Sequence, residues 1–262
     1  MSIFKHELRR GTKSLLIWAA AIGFLLVLCV LIYPDMKGEV DSMGDMFSSM
    51  GAFTAAFGMD RINFGSFMGF YAVECGNILG LGGAVFAALL GVSALAGEER
   101  EHTAEFLLSH PIKRSRVVLE KLLAVWAQVL LLNAAVLLLS VLSALTIGEE
   151  PDWKPYLLLH LANVLAQLEL ACLCFGLSAF LSAGGPGLGV GISMGLYFVN
   201  IAANISEKAE SLKYISPFAY AEGADILSES ALSGAYLAAG AAFTALGVIL
   251  AFIKYCRKDI RA

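Results

Sequence analysis

The sequence predicts an all-α integral membrane protein with six transmembrane helices. First, the chain is 58% hydrophobic and only 15% charged over 262 residues, and its mean hydropathy of +0.76 lies outside the range of a soluble domain of this length. Second, it contains six apolar runs of about twenty residues, the length that marks a membrane span. Third, its lysines and arginines gather between alternate runs, as the positive-inside rule requires. The runs cover residues 15–33, 72–96, 122–147, 157–183, 187–205 and 232–255. At 1.5 Å per residue, the shortest of them reach about 28 Å, close to the hydrocarbon thickness. In lipid the backbone must satisfy its own hydrogen bonds within a segment, so each run is predicted to be a helix. The 26 glycines suit such helices. The chain reads as one transmembrane domain, 1–262, with no room for a soluble catalytic domain.

Charge sets the orientation. With both termini cytoplasmic, the inner side holds Lys5, Arg9, Arg10 and Lys13, then Arg100, Lys113, Arg114, Arg116 and Lys121, then Lys254, Arg257, Lys258 and Arg261. The outer side keeps only Lys37, Arg61, Lys154, Lys208 and Lys213. This places the stretch "GEEREHTAEFLLSHPIKRSR", residues 97–116, in the main cytoplasmic loop, where eight charges crowd into twenty residues. The expected location is the plasma (cytoplasmic) membrane, as a multi-pass protein.

Residues 1–13 carry Ile3, Phe4 and Leu8 on one side and Lys5 and Arg9 elsewhere. They read either as a basic amphipathic helix lying at the headgroups or as a helical extension of the first span. The first run is longer than a signal-peptide core and meets "YPDMKGE" rather than a small-residue cleavage site, so it reads as an uncleaved helix. In the first outer loop, Met43, Met46, Met50, Phe53 and Phe57 follow helical spacing. They predict a separate interfacial helix on the outer rim, set off by Asp41, Asp45 and nearby glycines. Gly76 and Gly80 in span two, and Gly187, Gly191 and Gly195 in span five, recur every four residues. Such smooth ridges admit close approach by another helix, and a contact that moves during transport is compatible with them. Residues 206–231 return outside, broken by Pro217, with Glu207, Glu210, Glu222, Asp225 and Glu229 read as a solvated acidic face.

Catalytic and metal chemistry find little support. "GISMG" (191–195) matches the G-x-S-x-G elbow in letters, but that motif needs a strand, a turn and a helix, and here it lies within a span. An intramembrane serine protease would require His160 as the base for Ser193, on a different level of the bilayer. No G-x-x-x-x-G-K-[ST] loop for phosphates is present. His102 and His110 lack further ligands in register. Cys172 and Cys174 are not at a zinc spacing, and Cys29, Cys75 and Cys256 are scattered. No metal, bound cofactor or nucleic-acid partner is expected. Two carboxylates lie in apolar runs, Glu74 near the outer start of span two and Glu169 near the middle of span four. A carboxylate at the bilayer centre costs about 2.5–3.5 kcal/mol on insertion scales. Glu169 must therefore face protein or water, or be protonated. Asn133, Asn163 and Gln167 are its candidate structural partners, and proton-coupled transport is its candidate function.

Within the charged loop, Thr103 can cap a short helix that Pro111 ends. Phe106, Leu107 and Leu108 form an apolar edge between charges, which a solvated connector does not need and a docking element does. "AGEEREHTAEFLLSHPIKRSRVVLEKLLA" resembles the signature E-x-x-x-G-T-x-E-x-L-L-x-x-P-(V/I)-x-R-x-x-(I/V)-x-x-x-K of permease subunits of type-2 ABC exporters. Glu98, Thr103, Glu105, Leu107, Leu108, Pro111, Ile112, Arg114, Val117 and Lys121 supply the matches, and His102 replaces the usual glycine. "AFGMDRINFGSFMGFYAVE", "YISPFAYAEGADIL" and "KYCRKDI" extend the resemblance to nearly the whole chain.

The resemblance implies a six-helix permease that pairs with a second permease copy, as a homodimer or heterodimer, and binds a cytoplasmic ABC ATPase. ATP and Mg would sit on that partner. It further implies that the loop is the coupling helix, with Glu98, Glu99, Thr103, Glu105, Phe106, Leu107, Leu108, Pro111 and Arg114 at the ATPase, and that spans two and five line the exit path. The alternative is a proton-driven secondary transporter using Glu169.

Overall fold

A computed structural model describes residues 3–100, 112–181 and 185–258, leaving aside the side chains of 38–49, 98, 100 and 207. Every described element is a helix. They are α1 (Ile3–Ser49), α2 (Ala52–Ala56), α3 (Phe67–Phe70), a π-helical turn (Tyr71–Cys75), α4 (Gly76–Ala94), α5 (Gly97–Arg100), α6 (Arg114–Thr146), α7 (Trp153–Ser178), α8 (Pro186–Ile205), 3-10 segments Glu207–Tyr214 and Ala219–Ala221, α9 (Gly223–Glu229) and α10 (Gly234–Arg257). Among the described residues six helices are long and apolar enough to cross a membrane: Ile3–Lys37, Phe67–Ala94, Arg114–Thr146, Trp153–Ser178, Pro186–Ile205 and Gly234–Arg257.

The first helix decides between the two readings of its start. Residues 3–13 are the helical extension of the first span rather than a separate amphipathic helix, because no residue between them and Leu15 stops the helix and Gly11 is tolerated inside it. The predicted separate rim helix also falls away. Its backbone is the far end of α1, which passes through Pro34 and continues to Ser49. It ends at Gly51, whose φ of 40° is a conformation that side-chain-bearing residues rarely adopt. Only the short α2, with Phe53 edge-on to Phe57 at 5.2 Å between ring centroids, is separate.

α7 is the axis of the bundle. It packs along α4 on one side and α10 on the other, while α1 lies along α6 and α8 leans on α4. The close approaches are made by glycines. A Cβ on Gly91 of α4 would meet the Ala171 carbonyl of α7 at 2.4 Å, and one on Gly176 of α7 would meet the Gly247 carbonyl of α10 at 2.5 Å. Leu159, Ala162, Leu170 and Phe175 fill this axis and are fully buried. The outward faces of α1, α6 and α10 keep large apolar side chains exposed, among them Phe24, Leu138 and Ile249, as a lipid-facing belt must.

The segment after α8 folds back into the bundle. Ser216 donates to the carbonyl of Leu196, nine residues before the end of α8, or about 14 Å down its axis. Phe218 packs on Tyr197 at 5.4 Å, and Tyr220 is 4% exposed. Irregular backbone at this depth survives because it is enclosed by protein.

Candidate functional site

The charged loop rises from a fastened base. Lys121 of α6 is 2% exposed, and its ammonium donates to Glu7 of α1 at 2.9 Å and to the carbonyl of Ala94 at 2.8 Å. It thereby caps the C-terminal end of α4, where the helix dipole favours a cation. A second junction lies beside it. Lys258 pairs with the buried Glu99 of α5 at 2.7 Å and donates to the Leu181 carbonyl at 2.7 Å. Arg114, at the start of α6, donates to the Lys258 carbonyl at 2.5 Å. On the outer side of the same end, Glu120 accepts from the Phe4 amide at 3.0 Å and from Arg116 at 2.8 Å. The two ends of the loop are thus tied to each other through the C-terminal end of α10, and α4 is tied to α1 and α6.

Of the residues assigned to coupling, Glu99 and Arg114 belong to this base, turned inward to Lys258 rather than outward to a partner. Thr103, Glu105, Phe106, Leu107, Leu108 and Pro111, with the side chain of Glu98, lie outside the described residues.

A polar seam runs through the apolar bundle. Asn133 of α6 donates to Gln167 of α7 at 2.6 Å, and Gln167 donates to the Leu79 carbonyl of α4 at 3.2 Å. Further out, the Tyr71 hydroxyl meets Nε2 of His160 at 2.8 Å, and Ser140 bonds Tyr156. Glu169 is 2% exposed and accepts from the Tyr220 hydroxyl at 2.8 Å. Gly240 leaves the room it needs, since a Cβ there would stand 2.4 Å from its Oε2. Asn133, Asn163 and Gln167 were the anticipated partners of Glu169. They instead bond to one another or to helix carbonyls. Its actual donor comes from the infolded segment, 51 positions away, and no local pattern signals that contact.

The glycines separate into two groups. Gly76 and Gly80 face α7, 3.7 Å from Leu159 and 3.1 Å from Asn163 for an added Cβ. With Asn77, Asn163, Tyr197 and Glu222 they line a small polar cavity of about 40 Å³ between α4, α7 and α8. Gly187, Gly191 and Gly195 face open space. The contact of α8 with α4 uses a different face of that helix. A Cβ on Gly189 would stand 3.1 Å from the Ala88 backbone, and Ser193 donates to the Ala84 carbonyl at 3.2 Å. Ser193 also donates to Gly189, four residues earlier on its own helix, whereas His160 bonds Tyr71, so no nucleophile–base pair forms. The G-x-S-x-G letters lie wholly within a regular helix.

At the far end, Glu222 accepts from Asn204 at 2.9 Å and Asn200 at 3.2 Å, with Arg61 at 3.9 Å also paired to Asp225. Its burial raises its carboxyl above the usual range despite the opposing pull of Asn204 and Arg61. The acidic stretch read as a solvated face is therefore partly a packing element. Among the described residues no group of three His, Cys, Asp or Glu side chains could hold a metal ion.

A family model described as ABC-2 family transporter protein matches residues 1–260. No curated protein matches the chain. With six spanning helices and a match over nearly its full length, the chain belongs to the ABC-2 transporter family and is a multi-pass permease of an ABC transporter.

Proposed function

We propose that this chain is the membrane-spanning subunit of an ATP-driven exporter, worked by a separate ATPase that grips the loop at 97–116. The observation that carries this reading is the fastened base of that loop. A displacement applied between Glu99 and Arg114 is delivered to α4, α6 and α10 together, because Lys258 and Lys121 join them. In this reading Phe106, Leu107 and Leu108 supply the apolar contact with the ATPase, and Glu98, Thr103, Glu105 and Pro111 belong to the same signature. ATP and Mg belong to the ATPase, and both termini face the cytoplasm across the plasma membrane. The uncovered ridge of Gly187, Gly191 and Gly195 suits close approach by a second permease copy. The path then lies between the α4 and α8 faces of the two copies, with Gly76 and Gly80 packing α4 onto α7 behind it. Packed helices shift between discrete arrangements rather than bending smoothly, which converts a push on the loop into outward opening.

The test is co-purification of the ATPase with Phe106→Asp and Leu107→Asp variants. The reading expects loss of the ATPase with the permease still folded and membrane-inserted. Full retention in both variants refutes it.

A further inference from the structure

Two cysteines that lie far apart in the sequence meet in the fold. Cys29 of α1 and Cys75 of the π-helical turn share a thiol–thiol hydrogen bond. They lie on the antiparallel contact line between α1 and the second span. Along it Trp18 packs on Phe86 with ring centroids 6.1 Å apart, Ile22 stands against Gly82, and Tyr33 meets Phe70 at 5.3 Å. Cys29 and Cys75 fall in register between the last two of these pairs. The helices run close here, since a Cβ on Gly82 would stand 3.1 Å from Ile22.

The π turn sets the aim of Cys75. From Cys29 to Tyr33, α1 advances four residues, whereas its partner advances five from Phe70 to Cys75. A turn closed from i to i+5 supplies that extra residue, and the turn at Tyr71–Cys75 is of this kind. A regular α-helical turn would carry position 75 off the contact line. Access comes from the other side. Cys75 is 1% exposed, but Cys29 is half-buried, at the edge of the lipid-facing stripe of Leu25, Leu28 and Ile32. Cys172 is engaged elsewhere, accepting from the Trp126 indole at 3.2 Å, and Cys256 is exposed.

We propose that Cys29 and Cys75 are a redox site, closed to a disulfide by a hydroperoxide that arrives through the lipid and reopened by a dithiol. The Cys29 sulfur attacks the O–O bond and becomes a sulfenic acid, and its proton leaves with the departing alcohol. The Cys75 sulfur then attacks the sulfenic sulfur, and its proton leaves with the hydroxyl as water. Two thiols are oxidised to one disulfide, and the hydroperoxide is reduced to an alcohol and water. A dithiol reverses the link by exchange, becoming a disulfide itself. The closed form braces α1 against the head of α4.

Treatment of the purified full chain, carrying Cys256→Ser, with cumene hydroperoxide tests this. Cleavage after Lys37 and Arg61 places the two cysteines on separate peptides, so mass spectrometry reads the link directly. The expected result is one peptide pair joined with the loss of two hydrogens, and a thermal midpoint raised by about 5–10 °C. Dithiothreitol should reverse both. Cys75→Ala should lose the link and the rise, leaving a Cys29 sulfenic acid that dimedone traps. Unlinked peptides from the treated chain overturn the proposal, as does Cys29 joined to any other cysteine. A linked chain with an unchanged midpoint overturns the bracing of α1 on α4.

Discussion

Replacing Lys121 with methionine keeps the length of the side chain and removes its charge. The variant loses a donor to Ala94 and leaves Glu7 without its cation. Breaking a buried ion pair from one side costs about 3–5 kcal/mol. Glu7 keeps 18% of its side chain exposed and can recover some hydration, so the low end, about 3 kcal/mol, applies. At about 2–4 °C per kcal/mol for a chain of this size, the thermal midpoint should fall by about 6–12 °C. Adding Glu7→Gln removes the stranded carboxylate. The double variant should then lie within about 1 kcal/mol of the parent, the remaining loss being the hydrogen bond to Ala94. Thermal unfolding of the four purified proteins in one detergent measures the full cycle. A single variant as stable as the parent, or a double variant no better than the single, refutes the clamp between α1, α4 and α6.

Other consequences follow from the seam and the glycines. Tyr220→Phe leaves the Glu169 carboxyl without its donor and should cost about 1–3 kcal/mol in thermal unfolding. Glu169→Gln keeps an acceptor for Tyr220 and should retain stability and transport, whereas loss of transport alone assigns Glu169 to proton coupling. Gly91→Ala should destabilise the folded chain by about 1–3 kcal/mol, because the new methyl meets the Ala171 backbone. Gly191→Leu meets nothing within the chain, so it should leave the thermal midpoint in place and weaken pairing of two copies by size-exclusion analysis. Glu222 is held above its ordinary pKa, so its folded form favours the proton. Its contribution is present at low pH and fades as pH rises through the raised pKa, above the usual carboxylate range. Proteolysis of the 206–229 segment should therefore increase with pH in the parent and lose that dependence in Glu222→Gln.

Much of this architecture is written in the sequence, for reasons specific to lipid. An apolar run of twenty residues has almost no alternative to a spanning helix, so the six spans and the helical class were legible from hydropathy alone. Continuity was less so. Pro34 and "MKGE" look like a boundary, yet in a long helix the lost hydrogen bond at one proline does not outweigh the turns on either side. The glycine period identified α8 as a close-packing helix but not its partner. The intrachain contact runs through Gly189 and Ser193, a face with a weaker repeat, and leaves the regular ridge outside. Long-range polar pairs were illegible. Nothing near Glu169 points to Tyr220, and nothing near Glu7 points to Lys121, because both contacts depend on how helices are arranged across the bundle. The coupling signature was legible only as a resemblance, and its central residues lie outside the described structure.

The most direct check on the central claim is the side of the membrane on which the charged loop lies. A Ser109→Cys variant, in a background with the exposed Cys256 changed to serine, is treated with a membrane-impermeant thiol reagent in intact cells and in inverted vesicles. Labelling confined to inverted vesicles is the predicted result, and it should be blocked when the ATPase is bound. Labelling in intact cells puts the loop outside and contradicts the account.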